Sequence, residues 1–212
     1  AADWFGEFSV SGSLNNDGLC AELELSRRID LADPSAWLTG KAHLDIGTFI
    51  SVYPVGYNAT ARIVWRPLLF LDLGCMAGLH GSWEFYEFSG PVARYGPAVR
   101  DRMGSGCANI PYVSPFAVLK AAVGPVVSYN SFYFERYARD RGYWMNWYYE
   151  ALMENDWLVN VNNYMYVMLG DGWALTALSK YVYTADNRET KWLVGGGAAL
   201  MREPGGDATP GG

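Results

Sequence analysis

The 212-residue sequence is 50% hydrophobic and 16% aromatic but only 18% charged, with a formal net charge of −6. Typical soluble domains are roughly 25% charged, and an acidic chain with scattered basic residues argues against duplex nucleic acid as a partner. No apolar run long enough for a membrane-crossing helix is free of charges or Gly/Pro breaks.

The chain opens AADW without an apolar leader, as expected of an exported protein whose signal peptide has been removed behind small residues. Period-two alternation then recurs almost everywhere, and helical periodicity is hard to find. Leu19, Ala21, Leu23 and Leu25 alternate with Cys20, Glu22, Glu24 and Ser26. Ala42, Leu44, Ile46 and Ile50 alternate with Lys41, His43, Asp45 and Ser51. Ala61, Ile63 and Trp65 share one face, with Arg62, Val64 and Arg66 on the other. Beyond Pro67, the residues Leu69, Leu71, Leu73, Cys75, Ala77 and Leu79 oppose Phe70, Asp72, Gly74, Met76, Gly78 and His80. A strand turns successive side chains to opposite faces, so each segment has one apolar and one mixed face.

Turn clusters such as Asn15-Asn16-Asp17-Gly18, Asp33-Pro34-Ser35, Tyr53-Pro54-Val55-Gly56 and Gly170-Asp171-Gly172 punctuate these segments. Between them the pattern predicts about ten strands (8–12). They fall near 4–13, 19–28, 37–51, 57–66, 69–86, 115–135, 142–153, 157–168, 173–184 and 190–202. The chain reads as one domain over residues 1–203, with a long loop at about 87–114 and a Gly/Pro-rich tail at 204–212.

Long alternating strands suit two architectures. A soluble barrel or sandwich turns the apolar face inward, whereas a membrane barrel turns it to lipid and keeps the polar face inside. Three features favour the membrane. The mixed faces combine glycines with Val64, Phe70 and Met76, a poor surface for water. Their charges nearly balance, with Lys41, Arg62, Arg66, Lys120, Lys180 and Lys191 against Glu22, Glu24, Asp45, Asp72, Glu84 and Glu150, and buried charges need partners. Aromatic residues gather toward strand ends, as at Trp4, Tyr57, Trp83, Trp157, Trp173 and Trp192; such residues form girdles at the two membrane interfaces.

With this alternation, an Arg66-Pro67 turn between two long strands, and a closing strand pair 172–184 and 190–203, the chain resembles the broad class of bacterial outer-membrane β-barrels. The last strand departs from many of that class in lacking a terminal aromatic residue. The resemblance implies an all-β fold, a single transmembrane antiparallel barrel with both termini periplasmic. It also implies residence in the bacterial outer membrane after signal cleavage, with lipid or lipopolysaccharide and other membrane subunits as partners. No catalytic residue, cofactor or metal comes with it. The expected function is a non-enzymatic scaffold, recognition protein or narrow, porin-like channel. The competitors are an outer-membrane hydrolase or lipid-modifying enzyme with a His/carboxylate site, and a soluble lipid-carrier-like barrel.

The candidate site residues follow from the faces. Glu22, Glu24, Lys41, His43, Asp45, Arg62, Arg66, Asp72, Lys120, Glu150 and Lys180 form an expected lumen charge network, with His43 and Asp45 on one strand face. Any histidine-based hydrolase must use His43 or His80, the two histidines present. Arg94, Arg100 and Arg102 concentrate charge in the long loop and suit the phosphates of lipopolysaccharide. Asn160, Asn162 and Asn163 with Tyr164 and Tyr166 suit either sugar binding or a hydrogen-bonded lumen. Cys20, Cys75 and Cys107, without a CxxC pair, leave the disulfide state open.

Overall fold

The computed structural model describes residues 2–12, 19–31, 39, 41–53, 56–82, 108–138, 144–146, 151–153, 157–170, 173–185 and 188–200. These form an all-β structure. Ten strands join in one antiparallel sheet: β1 (Ala2–Gly12), β2 (Leu19–Asp30), β3 (His43–Tyr53), β4 (Gly56–Leu68), β5 (Leu71–Ser82), β6 (Ala108–Val123), β7 (Val126–Tyr137), β10 (Trp157–Gly170), β11 (Trp173–Thr184) and β12 (Thr190–Leu200). Two further short strands, β8 (Trp144–Asn146) and β9 (Ala151–Met153), pair only with each other.

Each sheet strand pairs with its chain neighbours, apart from β7, which pairs directly with β10. Among the described residues no ladder joins β1 to β12. The sheet curls nonetheless. Residues of β2 and β10, with five strands between them in the sheet order, line one cavity.

Strand direction sorts the connections into two ends. Residues 69–70 and 124–125 make two-residue turns at one end, where β1 begins and β12 finishes. The connections 83–107 and 138–156 leave from the other. We call these the short-turn end and the long-loop end.

The structure redraws three predicted elements. The segment 115–135, expected as one strand, is two, because Gly124 adopts a left-handed φ of 58° and starts a hairpin. Strand β6 begins at Ala108, inside the stretch expected as loop 87–114. Its Pro111 and Pro115 stay exposed at the surface, and the β6–β7 ladder skips residues 114 and 115, since a proline has no N–H to give. Segment 142–153 is no sheet strand and contains the β8–β9 pair instead. The strand count of ten survives because the split and the loss cancel.

The fully buried apolar cluster is small. Ile110, Tyr112, Tyr137, Met153, Leu158 and Val182 meet at the long-loop end, with Met153 of β9 folded in beside strands β6, β7, β10 and β11. Most other large apolar side chains lie on the outer face. Leu23, Ile46, Ile63, Leu79 and Phe132 are 43–52% exposed.

Candidate functional site

The inner face carries the polar chemistry, in two tiers. The first runs across five adjacent strands near the short-turn end. Arg28 of β2 and Asp45 of β3 stand directly opposite in register, and the guanidinium donates to both carboxylate oxygens at 2.9 and 3.1 Å. His43, two residues along the same face of β3, places Nδ1 2.7 Å from the Lys41 carbonyl oxygen. Its Nε2 lies 3.3 Å from Asp45 Oδ2, close enough for attraction but without the alignment of a hydrogen bond. Arg66 of β4 is the register partner of His43. It donates bidentately to Asp72 of β5 at 2.5 and 2.9 Å, and Lys120 of β6 donates to the same carboxylate at 2.5 Å.

Local sequence explains this belt. The turn at Leu69–Phe70 folds β5 back on β4, with a register irregularity between Trp65 and Leu68, so Arg66 and Asp72 meet across the hairpin. Lys120 lies two residues beyond Val118, the partner of Asp72, which is the diagonal reach of a long side chain. Asp72 is buried at 6% exposure and takes two cations at once. Bidentate arginine pairs are the strong, geometrically fixed kind.

The second tier begins at mid-strand. Arg62 of β4 reaches over Gly47 of β3 to pair with Glu24 of β2. A Cβ at Gly47 would stand 2.7 Å from both the Ser26 Cβ and the Leu25 carbonyl oxygen, so the approach of β2 to β3 under this crossing depends on the missing side chain. On the adjoining strands β5 and β6 the Phe116 ring fills the space over its register partner Gly74.

From there toward the long-loop end opens a cavity of about 320 Å³. Its walls include Glu22, Glu24, Asn58, Thr60, Arg62, His80, Tyr112, Ser131, Tyr133, Glu135, Tyr137, Asn160, Asn162 and Tyr164. Many of these groups are mutually bonded. The Thr60 and Tyr112 hydroxyls lie 2.5 Å apart, and Tyr112 also donates to Asn58 at 3.1 Å. Tyr137 donates to Glu135 at 2.5 Å and stacks on Tyr112 with centroids 5.3 Å apart. Asn162 donates to Ser131 at 3.3 Å, and the Cys20 thiol faces Glu22 at 3.8 Å.

The structure therefore brings His43, Asp45, Arg66, Asp72 and Lys120 together in one belt. It pairs Glu24 with Arg62 and sets Glu22 on the cavity wall. Lys41 is exposed and contributes only its carbonyl. Lys180 of β11 is half-buried and in register with Asn162. Glu150, Arg94, Arg100, Arg102 and Cys107 lie outside the described residues, and among those residues no disulfide forms.

Sequence reasoning missed Arg28, because the predicted strand ended on it and its register partner was unknown. It also missed Glu135, hidden in an aromatic run, and Tyr112, placed in the expected loop. The Asn-Asn-Tyr stretch splits by face. Asn160, Asn162 and Tyr164 line the cavity, while Asn163 pairs with Ser179 at 3.1 Å and is absent from the lining.

Among the described residues, no group of three or more His, Cys, Asp or Glu is placed to hold a metal ion. His80 is buried at 2% exposure, edge-on to Tyr137 with centroids 6.2 Å apart. No family model, no curated protein and no solved structure matches the chain.

Proposed function

We propose that this chain is an integral outer-membrane β-barrel that acts as a non-enzymatic recognition or scaffold protein with a largely occluded lumen. One observation carries the reading: the molecule is inside-out. The outer face exposes leucine, isoleucine, valine and phenylalanine from every region of the sheet, while Asp72, Glu135, Asn160 and His80 are 2–6% exposed on the inner face. Water would reward the reverse distribution. Lipid rewards this one, since a hydrocarbon surround takes apolar side chains and leaves polar groups to pair inside.

Supporting details agree. Trp4, Trp65 and Trp173 lie near the short-turn end of their strands, and Tyr57, Trp157 and Trp192 near the long-loop end, two bands of the kind found at membrane interfaces. An even number of antiparallel strands puts the start of β1 and the finish of β12 at one end together with the turns at 69–70 and 124–125. In outer-membrane barrels that end faces the periplasm and the longer loops face outward. Arg94, Arg100 and Arg102 belong to such a long connection and would meet lipopolysaccharide phosphates or a partner's carboxylates.

The two competing readings fit less well. A lipid carrier wants an apolar interior, and this interior holds amides, phenols and ion pairs. A hydrolase wants its histidine open at the loop rim beside a carboxylate. His43 is drawn into the ion belt at the other end, and His80, though toward the long-loop end, is 2% exposed against the Tyr137 ring.

The test is extraction and mobility. The expected protein leaves membranes only in detergent and migrates differently on gels before and after boiling. In planar bilayers it gives conductance far below that of an open porin. Release of folded protein by salt or carbonate alone would overturn the reading.

A further inference from the structure

We propose that the cavity between the ion belt and the long-loop end is a binding site for a small neutral polyhydroxylated molecule, a monosaccharide or cyclic polyol. This deepens the recognition reading, although the chamber is defined by the inner faces of β2–β7 and β10 whether or not lipid surrounds them.

Size comes first. About 320 Å³ lies at the small end of ligand sites, which run from roughly 300 to 1,000 Å³. The walls then exclude most ligand classes. An acyl chain would strand Thr60, Glu135 and Asn160, all at most 4% exposed, against hydrocarbon. An anion would face Glu22, Glu24 and Glu135 with Arg62 as the one arginine on the wall. A cation finds the carboxylates already engaged, Glu24 by Arg62 and Glu135 by the Tyr137 hydroxyl.

What remains is dipolar chemistry of both signs: the amides of Asn58, Asn160 and Asn162, and the hydroxyls of Thr60, Ser131 and Tyr133. Each sugar hydroxyl both donates and accepts, so a ring of them matches a wall of amides and hydroxyls. The phenol rings of Tyr112, Tyr133 and Tyr164 supply flat apolar surface for the C–H faces of the same ring.

The experiment uses the full chain folded in detergent and saturation-transfer NMR. The probes are glucose and myo-inositol, against choline and inorganic phosphate. Transfer to one of the polyols, and to neither charged probe, is expected. Asn162→Leu should weaken that transfer about fivefold, the loss of roughly one hydrogen bond. Asn163→Leu, on the other face of the same strand, should leave it unchanged.

Where Asn162→Leu loses the heat-shifted gel band, Ser131→Ala reads the same corner of the wall. Transfer to choline or phosphate instead, no transfer at all, or equal loss from both asparagine variants would overturn the assignment. Membrane residence is read separately from the gel shift. A folded barrel that ignores every probe sinks the ligand alone, and a detergent-free soluble protein that takes the polyol sinks the barrel alone.

Discussion

The belt and the chamber are built by the same strands and the same alternation, yet they solve the problem of buried polarity in opposite ways. In the belt, charges of opposite sign stand directly across the ladder or one diagonal step away, as Arg28 with Asp45 and Lys120 with Asp72. They satisfy one another and leave little for a visitor. In the chamber one ion pair spans a glycine, and hydroxyls, amides and phenols share the rest of the polar wall with Glu22, Glu135 and His80. Register decides between closure and room. A one-residue slip in any ladder would send the inward charges to the outer face, so the belt also pins the register of the strands that make the chamber.

The sharpest way to break this contrast is to remove Asp72. Asp72→Ala leaves Arg66 and Lys120 facing each other without an anion, at a cost of about 3 kcal/mol. Urea titration of the heat-shifted gel band reads the loss. Replacing all three residues with apolar ones of similar volume should recover most of it, because the pair's Coulomb gain is largely offset by desolvation. If the triple variant is as unstable as the single one, the belt is more than a self-neutralising lock.

At the long-loop end the matching change is Met153→Ala. Met153 is fully buried at 0% exposure in the apolar cluster behind the chamber. Truncation there should cost about 2 kcal/mol through the cavity it leaves. It should also speed alkylation of Cys20, which lines the chamber. Unchanged alkylation would mean that the β8–β9 pair does not seal that end.

How much of this was legible depends on which interactions are local. The Arg66–Asp72 contact was within reach of the sequence, because a turn was expected at Pro67, two residues short of its place at Leu69–Phe70, and the alternation on both sides fixes the inward face. The ten-strand sheet and the inward placement of Glu22, Glu24, Asp45 and Arg62 followed from period two in the same way. The hairpin at Gly124–Pro125 was missed although Gly-Pro is a turn dipeptide, because Ala121 to Val123 and Val126 to Val127 flank it closely with apolar residues. Pro111 and Pro115 made the start of β6 look like loop, since sequence does not reveal which ladder can spare an N–H. Partners at long separation, such as Glu24 with Arg62 or Tyr112 with Tyr137, depend on registers that no local pattern states.

A smaller effect tests the mid-strand crossing. Glu24→Gln keeps the shape of the side chain and removes its charge. Both partners are about a quarter exposed, so the loss should be about 1 kcal/mol. High salt should shrink the difference between variant and parent. Gly47→Val should reproduce the defect with the charges intact, by pushing β2 off β3 and so drawing Glu24 away from Arg62. An undisturbed Gly47→Val variant would show that the two strands can part there without breaking the pair.

The smallest expected effect lies inside the belt itself. Arg28 binds Asp45 with the same two-pronged geometry that Arg66 uses on Asp72, so contact geometry alone predicts equal losses. Their surroundings differ. The Arg28 side chain is 35% exposed, against 25% for Arg66, and water screens what it contributes. Asp45 also keeps His43 beside it when Arg28 is removed, whereas Asp72 takes its charge balance from Arg66 and Lys120 together. Arg28→Met should therefore cost only about 0.5 kcal/mol, and its long apolar stem can still cover the Phe5 ring that Arg28 now overlies at 4.8 Å. Urea midpoints of Arg28→Met and Arg66→Met, measured side by side, decide the point: equal shifts would mean that geometry governs the belt, and unequal shifts that burial does.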